Sequence, residues 1–141
     1  MTLHCPDSMS TMVGFFNGFS PVKLENMGDV YSPDIEFHDP TNHTRGLAAL
    51  RKVYENIFKE FENITVSVID AHGDDHTGFL LWTMHSTLRG KEFFLSATSH
   101  LKFAPDGRVI VQRNHWDASL LNRNKIPLIG WAVDGIKRLA K

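Results

Sequence analysis

Hydrophobic and polar positions follow two rhythms along the chain, and the change of rhythm separates a helical first half from a stranded second half. Met9, Met12, Val13, Phe15, Phe16 and Phe19 recur at helical spacing, which predicts a first helix with an aromatic face, loosened by Gly14 and Gly18. Ser20-Pro21 reads as an N-cap followed by proline at the first helical position, opening a short second helix that runs to about Tyr31. After Pro33-Asp34, residues Ile35 to Asp39 alternate as a strand, and Asp39-Pro40-Thr41-Asn42-His43-Thr44 is turn chemistry. Leu47, Leu50, Tyr54, Ile57, Phe58 and Phe61 then form the strongest helical stripe of the chain.

From Ile64 the period becomes two. Ile64, Val66 and Val68 alternate with Thr65 and Ser67, Gly73-Asp74-Asp75 turns the chain, and a strand follows from about Thr77 to Leu88. Arg89-Gly90 turns it back. Phe93, Leu95, Ala97, Ser99, Leu101 and Phe103 share one face of the next strand, with Phe94, Ser96, Thr98, His100 and Lys102 on the other. Pro105-Asp106-Gly107 leads into a last strand from Val109 to about Asp117. Three helices and a strongly bent antiparallel sheet make an α+β arrangement with the helices covering one face. Residues 1–117 form one domain, and 118–141 a C-terminal extension in which Pro127 to Val133 runs into Ile136, Lys137, Arg138, Leu139 and Lys141. That pattern predicts a short apolar helix with a basic end, packed on its own sheet or on a partner subunit. Contact with a membrane surface through Trp131 and the lysines is the less favoured placement.

Composition narrows the function. The 141 residues suffice for one domain with a core, and 42% hydrophobic with 22% charged residues is ordinary for a soluble globular chain. A net charge of -1, from 15 basic and 16 acidic residues, supplies no field that would gather nucleic acid. Cys5 is the one cysteine, so there is no disulfide framework and no cysteine-based zinc site. No opening resembles a signal peptide and no apolar run is long enough to span a bilayer, so a cytoplasmic location is expected. His72 and His76 share a turn with Asp70, Asp74 and Asp75, which reads as a solvated turn, and His85, His100 and His115 do not fall opposite one another. Neither a metal nor a cofactor is expected.

The residue with the sharpest chemistry is Asp39. Strand parity turns Ile35, Phe37 and Asp39 to one side and Glu36 and His38 to the other, so a carboxylate shares a face with two large hydrophobes. Buried acids are costly unless hydrogen-bonded or kept protonated. Two readings follow: a turn acid that accepts backbone N–H groups and helps start a helix near Thr44, or a proton shuttle with a raised pKa.

The order of elements, the acid-proline pair before the third helix and Trp116 near the end of the last strand resemble the cone-shaped nuclear transport factor 2-like superfamily. Within it, Tyr31 through Asp39-Pro40, the segment from Gly46 to Tyr54, and the run from Gly73 to Asp117 through Arg89-Gly90, Lys102-Phe103 and Asp106-Gly107-Arg108 resemble bacterial ketosteroid isomerase. The resemblance implies a cone-shaped barrel, Asp39 as the proton-shuttling aspartate, Tyr54 as its supporting tyrosine, and Trp116 on the pocket wall. It departs at the oxyanion site. The isomerase uses a tyrosine hydroxyl and a protonated aspartic acid there, whereas this chain has Phe15 or Phe16 and Ser99, leaving Tyr54, Asn114 or Ser99 to take the role.

The same register and parity predict a cavity lined by Phe15, Phe19, Tyr31, Phe37, Leu80, Trp82, Met84, Ser99, Leu101, Gln112, Asn114 and Trp116. Such an apolar cup suits a small hydrophobic carbonyl ligand, steroid- or polyketide-like. Abstraction of a proton beside the carbonyl would give isomerisation or an aldol closure like that of SnoaL-like polyketide cyclases. The alternative is a non-catalytic ligand-binding or assembly module of the same fold. Asp117, His115 and His100 form a rival constellation that parity turns away from the cup, and Arg113 with Asp117 resembles limonene epoxide hydrolase chemistry but has no second inward acid. Phe79, Leu81, Phe94 and Val111 fall on the outer sheet face, which predicts a homodimer through the sheet.

Overall fold

The structure, a computed structural model, describes residues 7–120. Helices α1 (Asp7–Phe16), α2 (Met27–Val30) and α3 (Leu47–Glu60) pack on a single sheet of β1 (Tyr31–His38), β2 (His43–Arg45), β3 (Glu62–Gly73), β4 (Thr77–Leu88), β5 (Lys91–Phe103) and β6 (Val109–His115). A 3-10 turn, Pro21–Asn26, joins the first two helices. The strands lie in the order β2-β1-β6-β5-β4-β3. This is the expected α+β architecture, with one difference in the sheet: β1 runs parallel to β6 and antiparallel to β2, so the sheet is mixed and open. The intervening α3 and three long strands supply the crossover that a parallel pair requires.

Strand β1 starts four residues before the alternation at Ile35. Tyr31 already pairs with Val109, and the register slips before the next pair, Glu36 with Val111. Pro33, which has no N–H to give the ladder, falls inside that slip. Helix α1 ends at Phe16 rather than reaching Phe19, because Gly18 takes a φ of 69° that breaks the helix. Phe19 is buried nonetheless, just beyond that bend.

Bulges between Glu62 and Thr65, between Val68 and Asp70, and between Lys102 and Phe103 bend the long strands over the helices. Met9, Met12, Phe15 and Phe16 of α1 and Leu50, Val53 and Tyr54 of α3 bury against the concave face. Close seating of α1 depends on the paired Gly73 and Gly78 of the β3–β4 hairpin. A Cβ on Gly73 would lie 2.6 Å from the Thr77 carbonyl oxygen, and one on Gly78 would run into the Met9 sulfur.

The stretch read as a turn leading into a helix is instead a hairpin. Asp39 N–H donates to the Asn42 carbonyl at 2.9 Å, His38 faces His43, and residues 43–45 continue as the edge strand β2. Helix α3 opens only at Leu47, after Gly46 at φ 95°. The C-terminal extension predicted from 118 onward lies outside the described residues from 121.

Candidate active site

Concave-face side chains of β1, β4, β5 and β6, closed over by α1 and α3, enclose a cavity of about 70 Å³. Of the residues expected there, Phe19, Phe37, Asp39, Tyr54, Trp82, Met84, Asn114 and Trp116 line it. Phe15, Tyr31, Leu80, Ser99, Leu101 and Gln112 are buried in the layer behind these walls. Phe16 lines the cavity in place of the expected Phe15. Ile57, Phe61, Val66, Phe93 and Leu95 complete the wall and were missed. Parity alone could have found three of them: Phe93 and Leu95 share the face of Ser99, and Val66 pairs with Met84. Phe61, at the C-cap of α3, carries no such signal.

Asp39 is half-buried, and its two oxygens are unequal. Oδ1 accepts the Thr41 N–H at 2.7 Å and the Asn42 N–H at 2.6 Å, with the Thr41 hydroxyl at 3.1 Å and Asn42 Nδ2 at 3.2 Å. Oδ2 accepts one long bond from Asn42 Nδ2 at 3.2 Å. One oxygen therefore holds the turn, and the other keeps lone pairs for chemistry. Burial among the apolar walls raises the Asp39 pKa above the usual carboxylate range, outweighing the lowering effect of the Thr41 and Asn42 hydrogen bonds. Both roles considered for Asp39 are thus compatible in one side chain.

Behind the cavity runs a buried chain of hydrogen bonds whose direction follows from its first member. An indole N–H can only donate, and Trp82 Nε1 donates to Ser99 Oγ at 2.8 Å. Ser99, fully buried, then directs its own proton to Asn114 Oδ1 at 2.6 Å. The same Oδ1 accepts Gln112 Nε2 at 3.0 Å, which turns Gln112 Oε1 toward Tyr31, whose hydroxyl donates to it at 2.7 Å. Tyr31 having spent its proton, Tyr54 must be the donor in the 2.7 Å contact between the two phenols. Burial raises the pKa of both phenols, so they stay protonated at neutral pH.

Two consequences follow for the site. The Tyr54 ring walls the cavity, but its hydroxyl proton is committed to Tyr31. Asn114 lines the cavity that Asp39 also lines, and with its Oδ1 held by Ser99 and Gln112 the edge left for a ligand is its Nδ2. A base of raised pKa and a neutral amide donor thus meet in an apolar enclosure, with the donor oriented before any ligand arrives.

His100 and His115 lie on the outer side, as parity required: Ser99 faces Asn114 across the β5–β6 ladder, while His100 pairs with Arg113 and Thr98 with His115. Asp117 lies beyond the end of β6, where it accepts the Ser119 N–H at 2.9 Å. Glu36, His38 and His43 bring one ligand atom each within 4.8 Å of one another on the outer side of β1. Arg45 occupies Glu36 Oε1 at 3.3 Å, and the two imidazoles stack at 3.9 Å, so the group is an ion-pair cluster around Glu36. Hydrogen bonding to His38 and Arg45 lowers the Glu36 pKa. No helix among the described residues is long and apolar enough to cross a membrane.

Comparison with known proteins gives a consistent fold. The model of the SnoaL-like domain matches residues 12–112. No curated protein is significantly similar in sequence. A protein of ketosteroid isomerase-like fold from Catenulispora acidiphila, in complex with trimethylamine, superimposes with a TM-score of 0.70 at 14% identity, covering 87% of this chain and 95% of that one. An NTF2-like protein of unknown function from Burkholderia pseudomallei gives 0.73 at 15% identity over 84% and 96%. An LEH-like epoxide hydrolase from M. tuberculosis gives 0.68 at 11% identity over 94% of each. These likenesses establish the cone fold.

Proposed function

The chain belongs to the SnoaL-like domain family, and on that footing we propose that it binds a small hydrophobic carbonyl compound and moves a proton next to the carbonyl. The observation that carries this reading is the pairing of Asp39 with the Asn114 amide in one apolar cavity. Asp39, as the carboxylate, takes a proton from the carbon beside the carbonyl. The electron pair moves to the carbonyl oxygen, where Asn114 Nδ2–H donates to the developing oxyanion. Where a carbon–carbon double bond lies beyond that carbon, Asp39 returns the proton at the far end of the resulting dienolate, which is an isomerisation. Otherwise the enolate carbon attacks a second carbonyl of the same ligand and Asp39 returns the proton to the new alkoxide oxygen, which is an aldol closure. Asn114 fills the role for which the sequence left Tyr54 and Ser99 as alternatives, since the protons of both are spent inside the wall.

Exchange at the α-carbon of butanone in D₂O, followed by proton NMR, tests the reading without knowledge of the natural ligand. Exchange above the buffer rate that disappears in Asp39→Asn supports it. A wild type no faster than buffer refutes the proton transfer. It would leave the second reading, a ligand-binding module in which Asp39 is a turn acid, favoured by the crowding of donors on Oδ1.

The outer sheet face belongs to the same proposal as a homodimer surface, supported by the exposure of Phe79, Leu81 and Phe94. So does a cytoplasmic location, supported by the single cysteine.

A further inference from the structure

A second hollow, a cleft of about 480 Å³, adjoins the cavity, and Phe19 and Phe61 are walls of both. Phe19 leans on Phe58 with ring centroids 4.8 Å apart, and Phe61 leans on Phe93 at 5.2 Å. The sizes decide what can enter. At about 70 Å³ the cavity is under half of the roughly 150 Å³ that accepts a benzene ring, so a fused-ring skeleton does not fit. A slender end of a molecule does. The cleft falls inside the range of roughly 300–1,000 Å³ usual for ligand sites.

We propose that cavity and cleft are two compartments of one site, whose ligand is an elongated aliphatic ketone or aldehyde with its carbonyl end in the cavity and its chain along the cleft. This rests on the reading that Asp39 and Asn114 receive a carbonyl. Phe58 and Ile64 give the chain apolar contacts in a cleft whose rim also carries Ser20, Asn63 and Glu62, and the acidic Glu62, exposed at the cleft, disfavours a carboxylate at the far end. The ligand class is therefore narrower than the steroid- or polyketide-like one suggested by the pattern of apolar positions.

Calorimetric titration of the full chain with 2-butanone, 2-hexanone, 2-octanone and 2-decanone tests this directly. Affinity is expected to rise about three- to fourfold for each methylene that the cleft buries. The bicyclic 2-decalone, with as many carbons as 2-decanone, should bind at least tenfold more weakly, as should 9-oxodecanoate. In Ile64→Asp the decanone-to-butanone affinity ratio should fall by tenfold or more. Affinity that is flat beyond hexanone, or decalone binding as well as decanone, overturns the two-compartment site and leaves the carbonyl reading standing. Equal binding of 9-oxodecanoate overturns the placement of the chain end at Glu62. Failure of every ketone, butanone included, removes the carbonyl reading itself and this inference with it.

Discussion

Trp82 Nε1 and Ser99 Oγ lie 2.8 Å apart, on β4 and β5, and this one contact sets the polarity of every polar group behind the cavity. Because the indole cannot accept, Ser99 must, and its own proton has one place to go, Asn114 Oδ1. Ser99→Ala removes the relay. It leaves the Trp82 N–H buried without its acceptor and frees the Asn114 amide to turn over. Urea unfolding should show a loss of about 1–3 kcal/mol, the usual cost of a buried unpaired polar group. A loss below a few tenths would mean that the relay does not hold the amide.

Asn114 itself separates binding of the carbonyl from proton abstraction. Asn114→Leu keeps the volume but deletes the donor, and Asn114→Asp replaces the donor edge with an acceptor that repels the carbonyl oxygen. Either should slow butanone α-exchange by about 100-fold or more, the scale of losing one preorganised oxyanion donor. An unchanged rate in both variants would move the donor role elsewhere.

The pH dependence follows from Asp39. Its pKa in the folded chain is raised by burial above the unfolded value, so the folded state holds the proton more tightly. The resulting stability is fully present below the unfolded pKa and is lost as pH rises through the folded pKa. Thermal unfolding against pH should therefore show a decline beginning in the ordinary carboxylate range and ending at the higher folded value. Asp39→Asn, whose carbonyl oxygen can still accept the Thr41 and Asn42 N–H bonds, should lose that decline. Exchange activity has the opposite slope, rising as the carboxylate forms. An activity inflection at or below the ordinary aspartate range would show that the acid is not desolvated in the folded chain.

Strand parity made the inner wall legible because β4 and β5 alternate without a break over twelve and thirteen residues. The same rule placed Asp39, Trp82, Met84 and Asn114 at the cavity and turned His100 and His115 away. It could not see β2, since His43, Thr44 and Arg45 contain no hydrophobe to alternate and are held by backbone pairing with β1. The helical pattern put Phe15 at the cavity where Phe16 stands, because adjacent helical positions differ by less than a third of a turn and both are buried. The direction of the hydrogen-bond relay was equally hidden. It depends on Ser99 facing Asn114 across two strands, a register that turn lengths suggest and only coordinates fix.

The outer sheet face yields the last test. Phe79 and Phe94 are 52% and 50% exposed, and Leu81 is 38% exposed, on a face that Thr83, Ser96 and Thr98 share and that Asp70 and His72 border across the β3–β4 ladder. Phe79 stacks on His100 at 4.6 Å and Phe94 lies 4.6 Å from His85, so the apolar rings are braced by cross-strand neighbours rather than loose. A braced face with exposed aromatic rings at its centre matches what two copies bury when they pack sheet to sheet, with Asp70, His72 and Arg113 at its flanks. Leu81→Glu places a carboxylate on it. Taking an unpaired charge into an interface costs several kcal/mol, enough to weaken a dimer about 100-fold or more. Sedimentation across a concentration series should show the wild type as a dimer and the variant as a monomer. Butanone exchange should be unchanged per chain, because Leu81 is exposed on the outer face while its neighbour Trp82 lines the cavity. A wild type that stays monomeric at high concentration would refute the dimer and assign the exposed rings to some other contact.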